Sequence, residues 1–337
     1  MAPANPVLIE VTRGATVEGR HRGAAVVVDS RGGRRAAWGD VDGFVFPRSS
    51  VKPLQALPLV ESDAAARFGV SARELALACA SHSGEPDHVA VALGWLVRLG
   101  RTEGDLICGP HPPLSREAAE ALIRIGRAPS PLHNNCSGKH LGFLTLAMHL
   151  GASLTDYGHP DHPVQRRVRR ALSEMGETDL SSAPVAGDGC GAPVVAMPLV
   201  AIARAFALLA VPDDLPRARA AAARQVVAAM TANPYIVGGT DRFDTLVTES
   251  AAGGILIKGG AEGVCAAALP ERGLGFAVKI DDGAKRAAET AMAALLARYA
   301  GENGAVRETL AAFQVKPVVD TRSLPVGSIR PAPGWLG

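Results

Sequence analysis

The order of strand-like and helix-like segments is the feature of this sequence that most limits its fold. Apolar, β-branched runs of strand length occur near the beginning of the chain and again after residue 250: Val7–Arg13, Gly23–Val28, Ile255–Lys258, Gly263–Ala268 and Gly275–Ile280. The stretch between them has apolar residues near the helical period of 3.6. Strands at both ends of the chain that enclose a helical middle predict one sheet assembled from both ends.

The helical middle and the late segments give further expectations. Helices are predicted over Leu54–Phe68, Ala72–Ala80, Val89–Leu99, Glu117–Ile125, Leu141–Leu150, Pro163–Met175, Leu199–Leu209, Arg217–Met230 and Ala284–Tyr299. Ser30–Gly33 predicts a hairpin turn, and the tail from Pro317 is expected to be irregular. Without a Pro/Ser linker, the sequence favours a single catalytic domain over 1–337. Its sheet lobe spans about 7–46 and 240–300, its helical lobe spans about 47–235, and a cleft lies between them.

Composition excludes several classes of protein. The net charge of +2 gives no strong basic field for nucleic acid or a membrane surface. The most apolar stretch, Ala192–Val211, is interrupted by Pro193, Pro198 and Arg204, so no transmembrane helix is expected. Met1–Pro6 has no signal-peptide pattern. Five cysteines without a C-x-x-C pair favour reduced thiols in the cytoplasm.

Lysine is scarce among the 35 basic residues. The chain has 29 Arg and only six Lys: Lys52, Lys139, Lys258, Lys279, Lys285 and Lys316. An amine can be deprotonated, whereas a guanidinium effectively cannot. The first three of these lysines lie in motifs rich in Ser, Gly, Cys or Asn. To act as a base near pH 7, a Lys must lose about 3 pKa units, or about 4 kcal/mol of ammonium stabilisation, which burial and a second cation can supply.

Two lysine motifs favour nucleophilic catalysis. Ser49 and Lys52 form an S-x-x-K pair whose side chains share a face on a helix, so a neutral Lys52 could take the Ser49 proton. The alternative is a solvated Lys at a helix start, since Pro53 disfavours helical backbone angles at Lys52. Lys258, at a strand end before two glycines, suits the second cation of a serine hydrolase. It also suits an exposed residue in a plain hairpin turn.

Three polar loops follow or join apolar elements. Ser81, in Ala80–Glu85, comes directly after an apolar helix, which places a hydroxyl at a cleft or marks an ordinary helix end capped by Gly84. His133–His140 offers amide donors at the entrance of a helix, which suits a small anion. The loop Val237–Arg242 contacts substrate or caps the next element.

Two cysteines lie in polar motifs. Gly187–Gly191 alternates glycines with Asp188 and Cys190. Cys136 and Cys190 could share zinc, with Lys139 or a water completing the shell, or could be buried structural thiols.

Taken together, these motifs resemble those of the rhizobial-type (class 3) L-asparaginases. The matching blocks are PRSSVKPLQALPLVE, ELALACASHSGEP, HNNCSGKHLGFL, GDGCGAPV and KGGAEGV, which fall in order between residues 47 and 264. The resemblance implies an α+β fold, with an antiparallel sheet flanked by helices and a helical lobe, similar to serine β-lactamases, penicillin-binding proteins and glutaminases. It also implies a homodimer.

The resemblance further implies roles for individual residues. Ser49 with Lys52 looks like the primary nucleophile and its base, and Ser81 with Lys258 looks like a second pair that assists acyl transfer. The implied zinc site, one Zn²⁺ per chain that supports substrate binding, is Cys136, Lys139 and Cys190 with a water. The implied substrate-binding residues are Arg48, His140 and Asp188, of which Asp188 suits the α-ammonium group.

The expected activity is hydrolysis of L-asparagine to L-aspartate and ammonia through an acyl-enzyme, with backbone N–H groups holding the oxyanion. A related amidase acting on glutamine or a β-lactam is the second enzymatic hypothesis. A non-catalytic binding or sensor module on the same fold is the third, and it would be acylated once without turnover.

Overall fold

The structure is a computed structural model that describes residues 4–300 and 304–336. The strands in this part are β1 (Val7–Arg13), β2 (Thr16–Asp29), β3 (Arg34–Trp38), β4 (Phe44–Val45), β5 (Val185–Gly187), β6 (Pro193–Val195), β7 (Met197–Pro198), β8 (Leu256–Gly259), β9 (Val264–Leu269), β10 (Leu274–Ile280), β11 (Lys316–Val319) and β12 (Pro325–Pro331). The first three residues of Met1–Pro6, where no signal peptide is expected, lie outside the described residues.

Helices account for most of the rest of the described chain. They are α1 (Lys52–Gln55), α2 (Leu57–Glu61), α3 (Ala64–Arg67), α4 (Ala72–Ala78), α5 (Pro86–Arg98), α6 (Arg116–Arg124), α7 (Ser137–Leu150), α8 (Pro163–Met175), α9 (Leu199–Ala210), α10 (Arg217–Ala232), α11 (Pro234–Val237), α12 (Phe243–Ser250), α13 (Lys285–Tyr299) and α14 (Gly304–Gln314). Nowhere in 4–300 and 304–336 is a helix long and apolar enough to cross a membrane.

The chain divides into two compact units, each built from separate stretches of sequence. Unit 1 comprises Met1–Ser50, Met197–Val211 and Leu246–Gly337, and unit 2 comprises Val51–Ala196 and Pro212–Thr245. Helix α9, which the sequence analysis places in the helical lobe, belongs to the sheet-containing unit 1. A single catalytic domain over 1–337 stays a prediction.

Unit 1 contains an eight-stranded antiparallel sheet drawn from both ends of the chain. Seven strands follow the order β11-β12-β1-β2-β10-β9-β8, and β3 pairs with β2 beside this path. The N-terminal strand β2 pairs with the late strand β10 from Gly23↔Ile280 to Asp29↔Leu274. The predicted assembly from both chain ends is therefore confirmed, as are the α+β class and the β2–β3 hairpin at Ser30–Gly33.

The centre of this sheet is buried on both faces. Every residue of β9 is buried, because α9 packs on β2, β9 and β10 while α13 also packs on β9 and β10. A Cβ at Gly275 would lie 2.0 Å from the carbonyl oxygen of Ala203, so the missing side chain allows α9 to approach β10 closely. This double coverage explains why these strands read as continuous apolar runs.

Two predictions about local structure are wrong. The tail expected to be irregular forms β11 and β12; Pro317 is tolerated because β11 is an edge strand, and Pro325 and Pro331 lie at the ends of β12. The helix expected over Leu54–Phe68 is divided into α1, α2 and α3. Pro58 cannot donate a backbone hydrogen bond within a longer helix, and Asp63 adopts a left-handed conformation with φ of 62°.

Unit 2 is mainly helical, and the start of α7 lies directly against the end of α4. A Cβ at Gly138 would lie 2.1 Å from the carbonyl oxygen of Leu77, so only glycine permits this approach. His82 Nε2 lies 2.9 Å from Ser137 Oγ and links the same two segments. The contact joins the Ala80–Glu85 motif to the His133–His140 motif.

Candidate active site

Lys52 is fully buried at the start of α1 and lies against the Ser81 hydroxyl. Its Nζ is 3.2 Å from Ser81 Oγ and 3.2 Å from the carbonyl oxygen of Asn135, and it also donates to the carbonyl oxygen of Ala80. No carboxylate in the described chain forms an ion pair with it. A buried amine in contact with a serine hydroxyl is suited to proton transfer.

The backbone of Ser81 is fixed by a hydrogen bond to a segment distant in sequence. Helix α4 begins with a capping box between Ser71 and Glu74 and ends at Ala78, two residues before the Ala80–Glu85 motif. The Ser81 N–H donates to the carbonyl oxygen of Val237 at 3.1 Å. A hydroxyl placed at a cleft stays a prediction, and no sequence pattern indicated that Lys52 would be the neighbour of Ser81.

The two cysteine motifs meet in unit 2. Sulfur and carboxylate ligand atoms of Cys136, Asp188 and Cys190 all lie within 4.8 Å of one another. Lys139 Nζ lies 2.9 Å from Cys190 Sγ and 3.3 Å from Asp188 Oδ2. The tight turn after β5 places Asp188 there, with its N–H on the carbonyl oxygen of Ala192. The role expected for Asp188 is substrate binding, and no local sequence pattern predicts this contact.

The electrostatics of this cluster favour one thiolate beside one thiol. The hydrogen bond from Cys190 lowers the pKa of Cys136 well below its usual value against the effect of burial, and Lys52 and Lys139 lower it further. The same hydrogen bond, with burial, raises the pKa of Cys190. Burial opposes the charged form of Lys139, but Cys136, Cys190 and Asp188 outweigh it and raise the pKa of that ammonium.

This donor set fits a zinc ion. Two sulfurs and a carboxylate oxygen are ligands that Zn²⁺ takes in proteins, and the lowered pKa of Cys136 favours the thiolate form that binds zinc. Lys139 would coordinate only after losing its proton, because an ammonium has no lone pair. The Asp188 carboxylate is thus an alternative third ligand to Lys139, the residue that the sequence indicated.

His140 is fully buried one residue after Lys139. Its Nδ1 lies 3.1 Å from the hydroxyl of Tyr157, and its Nε2 has no hydrogen-bond partner in the described chain. Burial, and then the charges of Lys139 and Lys52, hold the pKa of His140 well below its usual value. The lowered pKa favours the neutral imidazole. Tyr157 carried no sequence signal that marked it.

The remaining predicted site residues lie in unit 1. Arg48 and Ser49 are half-buried in a 3₁₀ turn over Arg48–Val51, and Arg48 has a left-handed φ of 51°. Lys258 is fully buried on β8, where its Nζ donates to the carbonyl oxygen of Gly259 at 2.7 Å. A Cβ at Gly260 would lie 2.9 Å from the carbonyl oxygen of Pro47 and 3.1 Å from the Ser50 nitrogen.

Unit 1 therefore brings the Lys258 motif against the turn that carries Ser49. A non-glycine residue held at positive φ, as Arg48 is, occurs often at functional sites. The predicted partners Ser81 and Lys258 belong to different units, and the Ser81 hydroxyl contacts Lys52.

Comparison with known families adds an independent observation. Residues 9–331 match the family described as L-asparaginase II. The chain belongs to the L-asparaginase II family. This membership confirms the resemblance seen in the motifs, and as an L-asparaginase II the chain is an asparaginase, a hydrolase of L-asparagine.

Comparisons with individual proteins are weaker than the family match. A β-lactamase from Mycobacterium bovis is 15% identical to this L-asparaginase II chain, with a TM-score of 0.42, over 82% of this chain and 94% of the other. Mglu in its native form is 17% identical with a TM-score of 0.39, and the alignment covers 82% of this chain and 64% of Mglu. No curated protein matches the chain.

Proposed function

We propose that this asparaginase works through an acyl-enzyme formed on a serine that Lys52 activates. The observation that carries the proposal is the environment of Lys52. This buried amine lies 3.2 Å from the Ser81 hydroxyl and also donates to backbone carbonyls. An amine in such surroundings can take the proton of a hydroxyl and return it to a leaving group.

Ser49, three residues before Lys52, is the proposed nucleophile. Lys52 accepts the Ser49 proton while the Ser49 oxygen bonds to the side-chain amide carbon of L-asparagine. The C–N bond then breaks, the proton passes to the nitrogen, and ammonia leaves. Water attacks the resulting ester with the same base, which releases L-aspartate and restores the serine. Ser81 and Lys258 are proposed to assist these proton transfers, and backbone N–H groups to hold the oxyanion.

A second candidate is that Ser81 itself is acylated. The 3.2 Å contact between its hydroxyl and Lys52 Nζ is the specific observation in favour. In that case the base and the overall reaction are the same, and only the residue that carries the acyl group differs.

Substrate binding is proposed to involve Arg48, His140 and Asp188. Arg48 offers a guanidinium for a carboxylate, and His140 offers the Nε2 atom that lacks a partner in the described chain. Asp188 would accept from the α-ammonium group, a role it would share with its contact to Lys139.

We further propose that the cluster of Cys136, Cys190 and either Asp188 or Lys139 holds one Zn²⁺ per chain. When bound, the ion would supply positive charge that favours an anionic group of the substrate. Protein purified without chelator should contain about one zinc per chain, and Cys190→Ser should lose most of it. Full metal-free activity would remove zinc from the proposal for function, although not from the site.

A cytoplasmic location and a homodimer are part of the same proposal. All five cysteines are buried thiols outside any disulfide, which suits a reducing compartment. The homodimer rests on the resemblance to class 3 asparaginases, and light scattering of purified protein checks it. A molar mass of one chain would exclude it.

The deciding experiment is to identify the acylated serine. Asparagine turnover is quenched in acid, and peptide mapping by mass spectrometry locates the acyl group. Ser49→Ala should lower kcat about 10³-fold or more and abolish the adduct, whereas Ser62→Ala, at a half-buried serine in the α2–α3 connection, is the matched control. An adduct on Ser81 supports the second candidate. Near-full activity of both Ser49→Ala and Ser81→Ala would refute the acyl-enzyme.

The same assay separates the alternative activities. Faster hydrolysis of glutamine or nitrocefin than of asparagine would favour a related amidase specificity. One equivalent of product with no further turnover would indicate a sensor that is acylated once.

A further inference from the structure

The loop Val237–Arg242 lies along the segment that carries Ser81. The Ser81 N–H donates to the carbonyl oxygen of Val237, and Ser83 Oγ donates to the carbonyl oxygen of Gly238 at 3.0 Å. Arg242 Nη1 lies 3.4 Å from the same Ser83 oxygen. The two stretches are far apart in sequence, so the backbone of Ser81 depends on where this loop lies.

Glu85 is the side chain that fixes the loop. Its carboxylate is buried and accepts from the Thr240 N–H at 3.0 Å and from Thr240 Oγ1 at 2.8 Å. It also accepts from the hydroxyl of Tyr235 at 2.7 Å, just before the loop begins. All three donors are uncharged; two belong to Thr240 within the loop, and the third belongs to Tyr235, two residues before it.

Gly239 shows how closely the loop is drawn in. It has a φ of 116°, and a Cβ there would lie 2.5 Å from Ser83 Oγ and 2.7 Å from Glu85 Oε1. Only glycine adopts such a conformation readily and leaves room for this approach. The carboxylate, the glycine and the Ser83 hydroxyl therefore act on one short piece of backbone.

We propose that Glu85 is a positioning residue for asparagine hydrolysis, which acts by holding the 237–242 loop against the backbone that carries Ser81. The inference rests on the proposed role of Ser81 beside Lys52. Without the carboxylate, the Thr240 N–H and two hydroxyls lose their acceptor. The loop then moves away, and the Ser81 hydroxyl loses its fixed place relative to Lys52 Nζ. Misplacement of a reacting group by about 1 Å can cost about 10²-fold in rate.

The test is a double-mutant cycle on steady-state kinetics with L-asparagine. Glu85→Ala is expected to lower kcat about 10- to 100-fold, with KM changed about 3-fold or less. In a Ser81→Ala background, the same substitution should change the residual kcat less than about 2-fold, because the group it positions is already absent. Thermal unfolding of each variant shows that the compared proteins are folded.

Glu74→Ala is the matched control. Glu74 is as buried as Glu85 and accepts from the Ser71 N–H, but it lies at the opposite end of α4 from Ser81. The Glu74→Ala variant should be less stable than the wild type but keep its kcat. Thr240→Val, which removes one hydroxyl and little volume, should lower kcat several-fold and keeps the proposal testable if Glu85→Ala does not fold.

Two results would overturn the proposal in different ways. If Ser81→Ala strongly lowers kcat but Glu85→Ala and Thr240→Val keep full kcat, or lower it by the same factor in both backgrounds, the positioning role is wrong and Ser81 keeps its role. If Ser81→Ala is itself fully active, the proposed function of Ser81 fails, and the positioning role fails with it.

Discussion

The substitution Gly138→Ala tests whether close packing of two helices builds the candidate site. The added Cβ would lie 2.1 Å from the carbonyl oxygen of Leu77, 2.4 Å from its carbonyl carbon and 2.6 Å from its Cγ. Real Cβ atoms essentially never approach other heavy atoms closer than 3.0 Å, so α7 and α4 must separate by about 1 Å. Two of the three obstructing atoms are backbone, which cannot rotate out of the way.

The expected cost follows from two opposing effects. Overpacking of a core costs about 1–3 kcal/mol, and contacts this short favour the upper end, whereas Gly→Ala in a helix gains about 1 kcal/mol. The net loss of about 2 kcal/mol should lower Tm by roughly 3 °C. Because α7 begins with Ser137, Lys139 and His140, the same displacement should lower kcat about 10²-fold.

Gly142→Ala, one turn further along α7, is the matched control. Its Cβ would lie 3.5 Å from Ala78 Cβ and from Leu59 Cδ2, which is ordinary contact. It should gain up to about 1 kcal/mol of helix stability and keep kcat. Differential scanning calorimetry and ammonia release measure both quantities. The reasoning is refuted if Gly138→Ala is as stable and as active as Gly142→Ala.

Three further predictions concern other parts of the chain. Burial, and then the charges of His88 and Lys52, hold the pKa of His82 well below its usual value. Unfolding therefore takes up a proton below about pH 6.5. As the pH is lowered below that value, this group should reduce the free energy of unfolding by about 1.4 kcal/mol per pH unit. His82→Gln should remove that slope in urea titrations from pH 7 to 5, and an unchanged slope contradicts it. Gly94→Ala, at an exposed helix position with no atom within 4 Å of the new Cβ, should stabilise the protein by about 1 kcal/mol at constant kcat; a loss of Tm would be inconsistent with open space there. Gly260→Ala, whose Cβ would lie 2.9 Å from Pro47, should lower kcat about 10-fold by displacing the turn that carries Ser49, and wild-type kinetics would show that this contact does not matter.

Much of the fold could be predicted because it depends on local pattern. The strands at both chain ends and most helices follow from apolar runs and a 3.6 period, and α8 has the predicted bounds, Pro163–Met175. The errors occur where local pattern competes with context. Pro58 divides a periodic stretch, and the proline-rich tail becomes β11 and β12 because an edge strand of the sheet accepts it.

The site could be predicted as a set of motifs but not as a set of contacts. The sequence marked Lys52, Ser81 and the two cysteine motifs, because serine, lysine and thiols in glycine-rich loops carry recognisable chemistry. It did not indicate that Lys52 lies against Ser81, that Asp188 joins the thiols, or that Glu85 holds a distant loop. Such contacts join residues far apart in the chain, and no local periodicity encodes them.

By itself, the sequence determined the segment order, the chemistry available and the family to which the chain belongs. Tertiary structure decided which groups meet, through a few close approaches. The absence of a side chain at Gly138 lets α7 reach Leu77, and Gly239 lets a loop reach Glu85. The physical reason is steric. Where backbone must approach backbone within van der Waals contact, a glycine allows a distance that a Cβ would prevent. The sequence does not show which glycines have this role, because the opposing residues come from distant parts of the chain.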